Sequence, residues 1–278
     1  MGESALSPIA EAPRSFRILS RLTRLIPPLP HASGLSNRIV KPLYCRNHRG
    51  RYRVKVWDGI EMIVDPADTI GGNLAFIPQL CDVWERHAIE KYLPRGGVFV
   101  DVGANIGSYS LWAARQVGPH GRILAYEAEP NNFATLIQNI ELNGFRQIAA
   151  FQVGVSDKEE TLKLRMCAGN SGGHSFAPDV ASPSAAEVEV KCQPLAELVA
   201  HVGRIDFIKL DIEGFEQRVL SRFFGDVAAD SPLRPRFILT EMLHGPVTGL
   251  SDTIRQAGYR LIRHAGYNAF FARAIESI

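Results

Sequence analysis

The segment Asp101-Val102-Gly103-Ala104-Asn105-Ile106-Gly107 carries the densest chemical signal in the chain. It follows an apolar run and precedes a helical pattern, so it joins a strand to a helix start. Gly103 permits a tight turn and close backbone approach, and Gly107 lets the helix start lie near a ligand. Ala104 and Asn105 complete the loop. Amides at a helix start favour an electron-rich ligand group. The loop lacks the third glycine of a dinucleotide fingerprint and adds the acidic Asp101. A carboxylate repels a pyrophosphate but attracts an amino group and a sulfonium. That favours S-adenosylmethionine over a dinucleotide. Glu127 ends the second strand, where an acidic residue accepts hydrogen bonds from ribose hydroxyls, with Glu129 as the alternative. Asp157 follows the third strand, where an adenine-contacting residue would lie.

A second group could act on the methyl acceptor. Transfer from a sulfonium is an in-line displacement in which positioning matters most, and a hydroxyl acceptor gains from a general base. Asp211 and Glu213 sit at the end of the fourth strand, where a spacing of two sets them on one strand face unless the chain is already turning there. Lys209 shares that spacing and reads as an ion-pair partner of Asp211. Glu241 ends the fifth strand, and His244 follows at the same rim with a side chain suited to base duty. Asn170 and His174 belong to an insertion after the third strand that could fold over the site as a lid. Asp211, Glu213, Glu241 and His244 could together offer oxygen and nitrogen to a cation. No short motif compels one, and no metal is predicted.

These residues need a frame. Strands are predicted at 98–103, 121–128, 148–156, 205–213 and 236–242, alternating with helices at 107–117, 131–144, 195–202, 216–224 and 248–257. Such alternation builds βαβ units and a mostly parallel sheet. Runs 259–263 and 269–274 form an antiparallel hairpin near the sheet edge, and 161–166 pairs with 188–192 outside the main repeat. Upstream, 82–93 is a helix with Asp82 as N-cap. Residues 51–64 form a hairpin turning at Asp58-Gly59, with Tyr52, Val54 and Val56 alternating with Arg51, Arg53 and Lys55. A helix over 14–26 places Arg14, Arg17, Arg21 and Arg24 on one face and stops at Pro27-Pro28. The favoured role for it is docking on the domain or on a second subunit. An interfacial membrane helix is the sharper alternative.

At this point the chain resembles the FkbM family of S-adenosylmethionine-dependent methyltransferases. The resemblance rests on FVDVGANIGSYSLWAA (99–114), YEAEPNNFATLIQNIELNG (126–144), VGVSDKEETLKL (153–164), IDFIKLDIEGFEQRVL (205–220) and ILTEM (238–242). It implies a Rossmann-like class I methyltransferase fold and transfer to a hydroxyl of a small metabolite, glycan or lipid. Asp101, Gly103, Asn105 and Gly107 match the family's cofactor loop, Glu127 its ribose carboxylate, and Lys209, Asp211 and Glu213 its motif after strand four. The run Glu127-Ala128-Glu129-Pro130 departs from the pattern, because many members have Glu followed directly by Pro. Substrate-facing segments diverge across the family, so the resemblance does not fix the acceptor.

Composition bounds the alternatives. With 278 residues, 46% hydrophobic and 22% charged, the chain is an ordinary globular protein. Four scattered cysteines without a C-x-x-C pair signal neither a zinc ribbon nor a disulfide framework, which suits a reduced, cytoplasmic setting. The apolar stretch 16–29 is interrupted by three arginines, so neither a span nor a signal peptide is expected. The net charge of +2 is unevenly divided. Residues 1–60 hold eleven Lys/Arg against three Asp/Glu, and the remainder holds 20 against 26. The division suggests a basic extension, 1–80, followed by a cofactor-binding domain, 81–278. The extension could cover the site, recruit an anionic acceptor or build a homodimer. Nucleic-acid methylation is disfavoured, because Asp211-Ile212-Glu213-Gly214 stands where adenine enzymes carry a Pro-Pro-aromatic motif and no Pro-Cys pair exists. RNA- or protein-directed transfer, and a non-catalytic cofactor-binding protein, are the competing readings.

Overall fold

The computed structural model describes residues 7–27, 50–167, 186–212, 214–242 and 249–274. The first elements are β1 (Ile9–Ala10), α1 (Arg14–Thr23), β2 (Arg51–Lys55) and β3 (Glu61–Val64). β2 and β3 form the expected antiparallel hairpin, and β1 adds in parallel to β2. Asp58 and Gly59 both adopt positive φ at the turn, as a tight hairpin demands. The alternation does not hold for Arg51, which is buried rather than solvated. Its guanidinium donates to Thr135 Oγ1 at 3.2 Å and Gln138 Oε1 at 2.5 Å, and those bonds compensate its burial.

A helix the sequence does not announce, α2 (Thr69–Phe76), follows. It contains Gly71 and Gly72, and its eight residues are too few for a clear helical period. The Asp68 carboxylate caps it, accepting from the Ile70 and Gly71 amides. α1 docks on its far end. Phe16 packs against Tyr52 and Phe76, with ring centroids 5.1 and 5.3 Å away. Ser20 Oγ donates to the Ala75 carbonyl at 2.7 Å and Thr23 Oγ1 to the Phe76 carbonyl at 2.5 Å, satisfying groups that a helix end leaves open. Next comes α3 (Val83–Tyr92). Asp82 is its N-cap residue, as predicted, but in left-handed backbone and with no capping hydrogen bond from its side chain.

The main repeat then runs β4 (Val98–Val102), α4 (Ser108–Val117), β5 (Arg122–Glu127), α5 (Pro130–Asn143) and β6 (Ile148–Gln152). A side module follows: β7 (Gly154–Ser156), β8 (Glu160–Arg165) and β9 (Glu187–Pro194). The chain returns through α6 (Leu195–Val199), β10 (Phe207–Leu210), α7 (Glu216–Asp226), β11 (Phe237–Glu241) and α8 (Gly249–Gln256), and ends on β12 (Tyr259–Ala265) and β13 (Asn268–Arg273). The seven-stranded sheet has the order β12-β13-β11-β10-β4-β5-β6. Only β13 runs antiparallel to its neighbours β11 and β12; every other pair is parallel. This is the mixed α/β, mostly parallel architecture with a C-terminal antiparallel hairpin that the sequence predicts. The expected strand 148–156 divides, because β7 leaves the main sheet to pair with β9.

Both faces of the sheet are covered, which accounts for the unbroken apolar runs. Phe99, Ile123, Phe207 and Phe270 face one core, shared with Tyr52, Trp57 and Trp112, so the N-terminal hairpin packs into the same core as the sheet. Val98, Val100, Leu124 and Ile208 face the other core. The strand order reverses between β4 and β10, and a ligand crevice lies beyond the carboxyl ends of such strands. Among the described residues no helix is long and apolar enough to cross a membrane.

Candidate active site

The loop after β4 is held from four directions. The Gly103 and Ala104 amides donate to the Tyr126 carbonyl, each at 3.0 Å. The Asn105 amide donates to Glu127 Oε2 at 2.6 Å. Asn139, fully buried on α5, donates to the Ile106 carbonyl at 2.8 Å and accepts from the Ile63 amide at 2.6 Å, tying the loop to β3. Lys209 Nζ donates to the Gly103 carbonyl at 3.0 Å.

Gly103 has φ +78, and a Cβ there would lie 1.8 Å from the Asp211 carbonyl oxygen. Its close approach is therefore to the neighbouring strand end as well as to the crevice. Gly107 has a different role from the one expected. A Cβ at Gly107 would come within 2.6 Å of Leu136 Cδ1, so this glycine lets α4 start against α5, and it does not line the cavity.

The crevice is a cavity of about 1220 Å³. Gly103, Ala104, Asn105, Glu127, Asp211 and Glu241 lie on its wall, six of the residues singled out from sequence. Others lie off it. Asp101 is completely buried behind the loop, with Oδ2 accepting from Ser110 Oγ at 2.6 Å. Its Oδ1 has no hydrogen-bond donor, and Lys209 Nζ stands 3.8 Å away. Glu129 caps α5, accepting from the Asn131 and Asn132 amides. Asp157 is engaged by Arg218 at 2.5 Å. Neither Glu129 nor Asp157 reaches the wall. Glu213, His244, Asn170 and His174 fall outside the described residues.

Lys209 organises the acids. Register pairs it directly with Asp101 across β10 and β4. Nζ also lies 3.2 Å from Asp211 Oδ2 and 5.1 Å from the centre of the Tyr109 ring. Burial acts to lower the Lys209 pKa, but Asp211 and Asp101 outweigh it and hold the ammonium above its ordinary value. The predicted Lys209–Asp211 pair is present. β10 stops at Leu210, so Asp211 stands in the turn that the sequence left open as the alternative.

Several wall residues were not singled out as site residues from sequence: Asp82, Glu85 and Tyr109, with Asn268 from the final hairpin. Asp82 accepts a hydrogen bond from Tyr109. Glu85 is buried, accepts from Asn268 Nδ2 at 2.9 Å, and has its pKa raised to about 7, chiefly by burial and then by Asp82. One signal did exist. Glu85 shares a helix face with Ala88, Ile89 and Tyr92 at spacings of three, four and seven, and an acid on an apolar face points inward.

Burial likewise raises the Glu127 pKa to about 7, against the Glu129 and Asn105 amides that lower it. The wall thus carries five carboxylates, Asp82, Glu85, Glu127, Asp211 and Glu241, against the cations Lys209 and Arg263. That donor set suits a ligand with a sulfonium and an amino group and opposes a pyrophosphate. S-adenosylmethionine fits it, with Glu127 and the Gly103–Asn105 loop to hold it. Such a ligand supplies an electrophilic methyl group on sulfur. Asp211, Glu216 and Glu241 bring carboxylate oxygens within 4.8 Å of one another. Glu216 spends its oxygens on the Ile212 and Gly214 amides, and we assign no metal to the group.

Comparison with known proteins agrees with this chemistry. The methyltransferase sdnD of Sordaria araneosa is 28% identical over 158 residues, covering 46% of this chain and 61% of that protein. Protein-L-isoaspartate O-methyltransferase 1 of Arabidopsis thaliana is 28% identical over 159 residues, covering 55% and 66%. The matches thus span less than two thirds of either relative. Among solved structures, a methyltransferase FkbM from Methylobacillus flagellatus KT is 16% identical with a TM-score of 0.42, over 72% of this chain and 53% of that one. Aeropyrum pernix fibrillarin, with natively bound S-adenosyl-L-methionine, is 12% identical with a TM-score of 0.42, over 81% and 82%. The family model for the methyltransferase FkbM domain matches residues 101–267, from the first acid of the cofactor loop to the turn of the last hairpin, and this chain belongs to that S-adenosylmethionine-dependent methyltransferase family.

Proposed function

We propose that the protein methylates oxygen, on a hydroxyl of a small metabolite, glycan or lipid. The observation that carries this is the convergence on the cavity of Glu85, Asp211 and Glu241, three carboxylates from α3, the turn after β10 and the end of β11. Carboxylates accept hydrogen bonds from hydroxyls and can take their proton. Asp211 and Glu241, with oxygens within 4.8 Å, orient the hydroxyl. Glu85, poised near neutrality, receives the proton. Glu127 accepts from the cofactor ribose, since each of its oxygens keeps a lone pair beyond its amide bond. Asp101 acts through Lys209, as a positioning residue for the loop. The Arabidopsis relative is itself named an O-methyltransferase, which supports oxygen as the acceptor atom. The acid-rich wall disfavours a nucleic-acid backbone. The scattered cysteines, without a C-x-x-C pair, support a reducing, cytoplasmic setting.

Transfer of a labelled methyl group to a panel of hydroxylated metabolites, glycans and lipids tests this reading. With the responsive acceptor, kcat rises with pH through about 7 as Glu85 ionises, and Glu85→Gln lowers kcat on the order of 100-fold and flattens that limb. Methylation confined to nitrogen or carbon acceptors would sink the oxygen assignment, and an unchanged pH profile in Glu85→Gln would remove Glu85 from the proton path.

A further inference from the structure

The docked face of α1 is Phe16, Leu19, Ser20 and Thr23, which leaves the opposite face open. On the helix wheel that open arc divides in two. Arg14, Arg17 and Arg21 recur at spacings of three and four and form a row. Beside it, Ile18, Leu22 and Leu25, the last in the turn that follows the helix, are 49%, 58% and 78% exposed at spacings of four and three. Scattered exposed apolar residues mean little, but a contiguous ridge flanked by one sign of charge marks a contact surface.

We propose that this face of α1 lays the protein on an anionic lipid bilayer. An interfacial helix combines an apolar ridge, which enters the headgroup boundary, with basic side chains that meet lipid phosphates. Here the deeper half is held by the protein itself, so the helix is already formed and no folding is required on contact. A second copy of the chain is the poorer occupant. A two-fold contact presents each patch to itself, and that sets one arginine row against another. Among the described residues, Arg17 of the row meets one acid, Glu11, at 3.4 Å. The end of α1 is tied to the segment that carries part of the cavity wall. Gln79 Nε2 donates to the Thr23 and Ile26 carbonyls, at 3.0 and 3.2 Å, two residues after Ile77 of the cavity wall.

Cosedimentation of the full chain with vesicles tests the proposal and does not depend on methyl transfer. Binding is expected to vesicles of phosphatidylcholine with about one third phosphatidylglycerol, and to fall as salt screens the arginines. Pure phosphatidylcholine vesicles are expected to bind far more weakly. Each arginine near an anionic leaflet is worth roughly fivefold in partitioning, so Arg14→Gln/Arg17→Gln/Arg21→Gln should lower binding on the order of 100-fold. Leu22→Asn/Leu25→Asn should weaken it as well, with both variants melting like the parent because the altered side chains are exposed. The proposal is overturned by failure to sediment with anionic vesicles, or by undiminished binding of the triple arginine variant. It is equally overturned if the wild type sediments as a dimer that Leu22→Glu dissociates.

Discussion

Replacing Lys209 by methionine isolates the electrostatic centre of the site. The side chain is 7% exposed, and its ammonium lies 3.0 Å from the Gly103 carbonyl, 3.2 Å from Asp211 and 3.8 Å from Asp101. Methionine keeps the length and fills the gap but carries no charge. Asp101, fully buried, is then left with Ser110 as its one hydrogen-bond donor. Removing one partner of a buried ion pair costs about 3–5 kcal/mol, most of it the uncompensated charge that remains. At ~2–4 °C per kcal/mol for a chain of this size, the melting temperature should drop by roughly 6–20 °C. The loss should depend on pH. Burial already raises the Asp101 pKa above its unfolded value, and without Lys209 it rises further. The folded state then holds a proton that the unfolded state releases, so stability is present at low pH and lost as pH rises through the folded pKa. The deficit should therefore be smaller near pH 5 than near pH 8. Lys209→Met combined with Asp101→Asn should recover part of it, since the unpaired charge is gone. Urea unfolding of the four proteins in the cycle measures these terms. A Lys209→Met protein within about 1 kcal/mol of the wild type, the range of a surface ion pair, would refute the reasoning. So would a double variant as weak as the two single losses added together.

Gly103→Ala should cost more than the ~1–2 kcal/mol of a left-handed alanine, because its Cβ meets the Asp211 carbonyl oxygen at 1.8 Å and forces the two strand ends apart; a variant that melts with the wild type and binds S-adenosylmethionine equally well contradicts this. Glu127 should bind the cofactor in its ionised form, so calorimetric affinity for S-adenosylmethionine should fall as pH drops through about 7. Glu127→Gln should weaken binding by roughly 10–100-fold per lost charge-assisted hydrogen bond and abolish that pH dependence. A titration unchanged by the substitution would place the ribose elsewhere.

The local rules that the chain obeys are legible without a structure. β4, β5, β10 and β11 read as buried strands because both faces are covered, and the glycine turn after β4 marks the crevice because a parallel sheet binds its ligand there. The Lys209–Asp211 pair is suggested by spacing, and the turn after β10 completes it. The interior of α2 does not, since its eight residues contain two glycines and depend on the Asp68 cap. The division of the third strand is also tertiary, because β7 leaves for a partner 38 residues away, Gly154 pairing with Cys192.

The sequence by itself determined the fold class and the cofactor, which rest on short segments whose period and turn chemistry are local, and the resemblance of its motifs pointed to the family. Only the tertiary structure decided which acids face the cavity. Glu129 and Asp157 stand near Glu127 and β6 in the chain, yet one caps a helix and the other meets Arg218. Glu85 reaches the wall because Asn268, 183 residues away, holds its carboxylate. Whether an acid is a ligand contact, a cap or a buried base depends on the donors that surround it, and those donors are brought together only by packing. The same holds for α1. Its apolar residues recur all round the helix in sequence, and contact with α2 selects which of them are buried and which remain open to a partner.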